Sequence, residues 1–328
     1  MTYSSGGLIQ ATDYNTFAGN TTAGLNRVWS TGSGDAGWGQ TDIATVAASG
    51  TVTATQWATI VNNLATTGTQ TGTTLTSRTA PVAGNTISIL ANVSTDITSV
   101  TTNRGNAAAS GTQSTTWTGN IAKITGTGSG TNAWTIVWTQ TVTFPSANQT
   151  RYFWNAGGLV TLDMSFTNNL IDNDPEWNRL VGYVGTLTLA GRVNGAAQTI
   201  AAVSYTGFNR SGTGGTQTTL ATTTGWYNLT GTPTTMLLLA DSTVPYTGDT
   251  ITVTATATSS TVLTLITTWT SSSRAGAGQA TNISGGTDTT SPFTAFGTAP
   301  AVLCRFKPPA TTYLTNSWGT PAVASSFV

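Results

Sequence analysis

Threonine occupies 76 of the 328 positions, and that excess constrains the fold more than any other feature. A β-branched side chain loses rotamer freedom on a helix and packs well on a pleated, half-buried surface. A chain so rich in it builds its framework by strand pairing. Charge is scarce: Asp, Glu, Lys and Arg make up 7% of residues, against roughly a quarter in an ordinary globular protein, and there is no histidine. Solubility therefore rests on hydroxyls and amides. Hydrophobic residues reach 38%, with 11 Trp, 8 Tyr and 9 Phe, which is enough for a substantial core.

Eleven acids balance eleven bases, for a net charge of +0. Such a chain has no long-range field to gather phosphate backbones or anionic lipid, so no nucleic-acid partner is expected. Low net charge also favours self-association. No apolar run approaches membrane-spanning length, and no membrane insertion is expected. The opening Met1-Thr2-Tyr3-Ser4-Ser5-Gly6-Gly7 has neither a basic region nor an apolar stretch, so no targeting segment is read there. Cys304, the single cysteine, reads as an inert buried side chain.

The length suits about two domains. Residues 1–110 read as a helical docking domain. Tyr14, Phe17, Thr21, Leu25 and Val28 form one apolar stripe, with Thr12 or Asp13 as its cap. After a Gly-rich break at 32–39, Thr53 or Thr55 caps a second helix over 56–65, carrying Trp57, Ile60, Val61 and Leu64. A Thr/Gly connection at 66–79 leads to Leu90, Val93, Ile97 and Val100, a short heptad-like seam. It suits packing on the first two helices, which we prefer, or on copies of itself.

From residue 111 to 328 the period is two. Trp134, Ile136, Trp138, Gln140, Val142 and Phe144 share one face, and alternation recurs at 160–166, 187–193, 251–257 and 263–269. One short helix interrupts at 175–181. The expected fold class is α+β, mainly β: a small N-terminal helical domain, then an antiparallel, jelly-roll-like β-sandwich. Residues 211–224 and 271–291 read as long loops, and 308–328 as a tail that drapes over a neighbour or ends loosely.

Residue types remove most chemistry. Without histidine there is no Ser-His-Asp triad, Cys-His pair or imidazole metal ligand. Asp172, Asp174 and Glu176 are the one acidic cluster; their alternate spacing could suit Ca²⁺, but it better suits a helix start with Asp174 as cap, Pro175 in the first position and Glu176 at the positive end, which we prefer. A glycosidase would need Glu176, the only Glu, paired across a cleft with an Asp, and Asp163 sits on the polar face of its strand. The run Arg151-Tyr152-Phe153-Trp154 could form a sugar platform or an interface anchor. At alternating spacing, as on a strand, it puts Tyr152 and Trp154 on one face and Phe153 on the other, which suits core and edge packing first and a subunit interface next. No catalytic, cofactor or metal residue is assigned, and no enzyme is expected.

Two stretches carry a resemblance. The first is Tyr3-Ser4-Ser5-Gly6-Gly7-Leu8-Ile9-Gln10, followed by Trp29-Ser30-Thr31-Gly32 through Gly37-Trp38-Gly39-Gln40 and by Val52-Thr53-Ala54-Thr55-Gln56-Trp57. The second is Phe144-Pro145, then Arg151-Tyr152-Phe153-Trp154-Asn155-Ala156-Gly157-Gly158, with Pro245-Tyr246-Thr247-Gly248-Asp249. Together they resemble virion structural proteins of tailed bacteriophages, especially the cyanophage type, over residues 3 to about 270. The resemblance implies a tail fibre or baseplate-associated protein, located in the virion and assembled in the host cytoplasm. Its implied partners are other virion proteins and copies of itself, guessed as a trimer with the Leu90–Val100 seam on the threefold axis. Long shaft repeats are missing, so a short fibre or attachment piece fits better than a whole fibre. Two alternatives stand beside it: a capsid decoration or neck (head-fibre) protein, and an adhesin module whose 211–224 and 271–291 loops bind a host surface glycan.

Overall fold

Helical and two-residue periodicity part company near residue 110, and the elements follow them. A computed structural model describes residues 10–84, 90–109, 111–114, 117–120, 134–167, 175–243, 247–271 and 298–327. The first part holds α1 (Ala11–Ala18), α2 (Asn26–Trp29), α3 (Ala54–Thr71) and α4 (Leu90–Thr102). The stripe expected to be one helix over 14–28 is two, because the chain folds back where Gly19 meets Gly24. A Cβ on Gly24 would lie 2.1 Å from the Gly19 carbonyl oxygen. Neither Thr12 nor Asp13 caps α1; Gln10 holds the cap position, without a side-chain bond.

Thr53 does cap α3. Its side chain accepts from the Gln56 amide, and Gln56 returns a bond to the Thr53 amide, forming a capping box. The helix runs on to Thr71, through part of the expected connection. Threonine is tolerated there because Thr66, Thr67, Thr69 and Thr71 each donate a hydroxyl to the carbonyl four residues back. Gly72, at φ +64°, supplies the left-handed residue that ends it.

Tyr14 and Phe17 of α1 pack on Trp57 of α3 at 5.7 and 5.9 Å between ring centres. Val93, Ile97 and Val100 of α4 are fully buried in the same cluster. These three seam residues are thus covered by this chain's own helices. Val93, Ile97 and Val100 are used in the packing preferred from sequence, on the first helices of the same chain.

The second part holds β1 (Trp117–Asn120), β2 (Trp134–Thr143), α5 (Ala147–Asn155), β3 (Leu159–Thr167), α6 (Pro175–Val184), β4 (Leu187–Leu189), β5 (Gln198–Ile200), β6 (Val203–Tyr205), β7 (Phe208–Arg210), β8 (Thr216–Leu220), β9 (Thr234–Ala240), β10 (Thr250–Ser259), β11 (Val262–Ser271), β12 (Thr298–Lys307) and β13 (Ala322–Phe327). Two antiparallel sheets, ordered β1-β12-β3-β4-β7 and β13-β2-β11-β10-β9-β8, share one core; β5 and β6 form a separate hairpin. The fold is α+β and mainly β, as the periodicities require.

On β2 the buried residues are Ile136, Trp138, Gln140 and Val142, the face read from alternation. Trp177 of α6 stacks flat on Trp269 of β11, with ring centres 5.2 Å apart and planes at 3°. Cys304 is fully buried.

Three expectations fail in this part. The aromatic run at 151–154 is helix α5, not strand, and all of Tyr152, Phe153 and Trp154 are buried. Strand β8 lies inside the expected loop 211–224, paired to β9. The tail does not end loosely but packs on its own chain: Leu314 and Trp318 are buried, and β13 pairs with β2 from Ala322 to Phe327. The other expected loop lies mostly outside the described residues.

Candidate functional site: a braced junction and an open groove

The loop at 30–40, between α2 and α3, joins the two parts. It is folded by main-chain bonds from Gly39 to Ser30 (2.8 Å) and from Gln40 to Trp29 (3.0 Å). Gly39 sits at φ +68°, and a Cβ there would strike the Tyr152 ring at 2.4 Å. Only glycine fits that contact. The loop thereby delivers Trp38 into the sandwich core, fully buried. Its indole N–H donates to the Arg104 carbonyl at 3.2 Å and the Asn155 carbonyl at 3.1 Å.

Around Trp38 the braces are mostly amides. Gln40 donates to the Thr315 carbonyl at 3.0 Å and accepts from the Thr315 amide at 2.9 Å. Gln198 donates to the Gly105 carbonyl at 2.7 Å and accepts from the Arg192 amide at 2.7 Å. Asn155 donates to the Gly37 carbonyl at 3.1 Å and accepts from the Tyr227 hydroxyl at 2.7 Å. One ion pair completes the set. Arg104 Nη2 meets Asp35 Oδ1 at 2.6 Å, and the other Asp35 oxygen accepts from the Asn194 amide. Burial, reinforced by the charge of Asp35, pushes the Tyr227 phenol far above its ordinary value. It stays protonated and acts as a donor. Chemically, this arrangement braces: each buried group is committed to another part of the same chain.

An open groove of about 480 Å³ lies between α3 and the returning segment 72–78. Val61, Ala65 and Leu75 supply apolar lining, and Thr69, Thr74, Thr76 and Arg78 polar lining. A second hollow, about 400 Å³, is bordered by Trp226, Tyr227 and Ser259. Trp226 is stacked on Trp154 at 5.6 Å and is 7% exposed, so its ring offers no face there.

Comparison with protein-family models, curated proteins and solved structures found no match. The site must be read from its own residues.

Of the residues weighed from sequence, Asp172 and Asp174 lie outside the described residues, and Glu176 is placed only as backbone in the first turn of α6. Among the described residues no cluster of three His, Cys, Asp or Glu side chains is found, and no helix is long and apolar enough to cross a membrane. Asp163 does lie on the outer side of β3, where it pairs with Arg305 at 2.9 Å and accepts from Thr186 at 2.6 Å. Trp38, Gln40, Asn155 and Gln198 went unread as a set. The available signal was a tryptophan enclosed by glycines at Gly37-Trp38-Gly39, which marks a tight loop presenting a bulky anchor.

Proposed function

We propose that this chain is a non-enzymatic structural component of a tailed-phage virion, a tail fibre or baseplate-associated protein. In this reading its helical part attaches to the particle and its sandwich is displayed. The supporting observation is the use to which charge is put. Arg78, Arg104, Arg179 and Arg305 close ion pairs with Asp96, Asp35, Asp241 and Asp163. Arg151, Arg192 and Arg210 donate to backbone carbonyls of their own chain. Arginines spent in this way stiffen a body rather than turn over a substrate. The resemblance at 3–57 and 144–158 supports the phage assignment. Other virion proteins and further copies of this chain are the proposed partners; with Val93, Ile97 and Val100 buried within one chain, a trimer would use a contact face other than theirs.

The test is mass spectrometry and reconstruction of purified particles. Stoichiometric presence with density at the tail supports the proposal. Density on capsid faces or at the neck moves the assignment to a decoration or neck protein. A monomer found only free in extracts overturns it.

A further inference from the structure

The groove beside α3 carries chemistry that neither the fold nor the virion reading uses. Arg78 lies in its wall with its side chain 4% exposed, paired to Asp96, itself 7% exposed. Asp96 Oδ2 also accepts from the Thr76 amide at 3.1 Å. Arg78 Nε is buried and has no acceptor. A buried donor left without a partner is costly, and Arg78 is one of the residues lining the open cavity.

Electrostatics narrows what could satisfy it. The guanidinium and carboxylate cancel, so the groove attracts neither sign strongly. An anion would meet the partly negative C-terminal end of α3, which lies at Thr69–Gly72, with the Asp96 charge held against Arg78. A cation would meet Arg78. An uncharged ligand that both donates and accepts is favoured, exchanging bonds with Thr69 and Thr76 and laying apolar C–H groups on Val61 and Ala65. A peptide would also need a separate pocket for each of several side chains, and the apolar lining is the single patch of Val61, Ala65 and Leu75. We propose that this groove binds a neutral, hydroxyl-rich ligand, a saccharide by class. No aromatic ring lines it, so stacking adds nothing and affinity is millimolar. The site is built from other residues than the 211–224 and 271–291 segments read as glycan-binding from sequence, and it does not depend on the virion reading.

Saturation-transfer NMR tests this on the full chain, using maltose, cellobiose and lactose against glucosamine and N-acetylneuraminic acid. Transfer to at least one neutral disaccharide is expected, with little to the charged sugars. Ala65 and Thr69 are exposed, so Ala65→Phe or Thr69→Tyr should fill the groove and abolish transfer while circular dichroism stays unchanged. Arg78→Lys keeps the charge but loses Nε–H, and should weaken binding roughly fivefold. No transfer to any neutral sugar, equal transfer to charged ones, or transfer that survives both blocking variants overturns the proposal. Particle composition is not an input to this measurement, so its failure leaves the virion reading standing.

Discussion

The indole N–H of Trp38 donates to the carbonyl oxygen of Asn155 at 3.1 Å, linking residues 117 apart in sequence. The same N–H reaches Arg104, so one atom holds the end of the helical part against α5. Trp38→Phe keeps most of the packing but removes the donor from two buried carbonyls. The expected loss is about 1–3 kcal/mol, read from the urea midpoint. Trp38→Ala adds a cavity and should cost about 3–5 kcal/mol. A phenylalanine variant as stable as wild type would show that the bond contributes nothing.

The hairpin of β5 and β6 turns on two alanines in the left-handed region, Ala201 at φ +48° and Ala202 at φ +65°. Both carry a Cβ that this conformation disfavours, where Asn-Gly is the natural pair. Replacing them with Ala201→Asn and Ala202→Gly should stabilise the protein by about 1–2 kcal/mol. Thermal unfolding measures it; an unchanged or lower Tm would contradict the strain.

Burial, with some help from the charge of Asp163, pushes the Cys304 thiol from 9.0 up to about 12. The raised value means that folding disfavours the thiolate. This contribution is complete below pH 9 and is lost as pH climbs towards 12, by about 1.4 kcal/mol per unit. Tyr14, Tyr205 and Tyr227 are raised as well and add to the fall above their ordinary 10.0. With no histidine, denaturation midpoints should stay level from about pH 5 to 8. Cys304→Ala should shrink the drop between pH 9 and 10; an identical drop would exclude the thiol as its source.

Gln140 is fully buried on β2, and its Oε1 has no partner. Its Nε2 reaches only Ser325 Oγ, at 3.5 Å. Gln140→Met keeps the volume and removes the unpaired oxygen, for an expected gain of about 1 kcal/mol in denaturant unfolding. A clear loss would mean that the amide is satisfied in solution.

How much of this was readable follows from which signals are local. Alternation gave the faces of β2, β3, β10 and β11 because one side of each is buried. The α5 error came from reading three adjacent aromatics by a two-residue rule. The better cue was Ser146 three residues before Gln149: Ser146 accepts from the Gln149 amide and starts the helix. Strand β8 was invisible because Thr216, Gln217, Thr218 and Thr219 carry no apolar alternation; pairing to β9 creates it. The junction was unreadable for another reason: Gln40 and Thr315 are 275 apart, and nothing in either neighbourhood names the other.

Strand β2 stands between β11 and β13, both made long after it. A nascent chain therefore carries Trp138 and Ile136 on a strand bare on both sides until residues 262–271 have been translated. Even then, one edge waits for 322–327. Such late closure makes folding slow and leaves incomplete chains prone to clumping. Ribosome-stalled or truncated products ending before residue 322 should be the ones that chaperones retain.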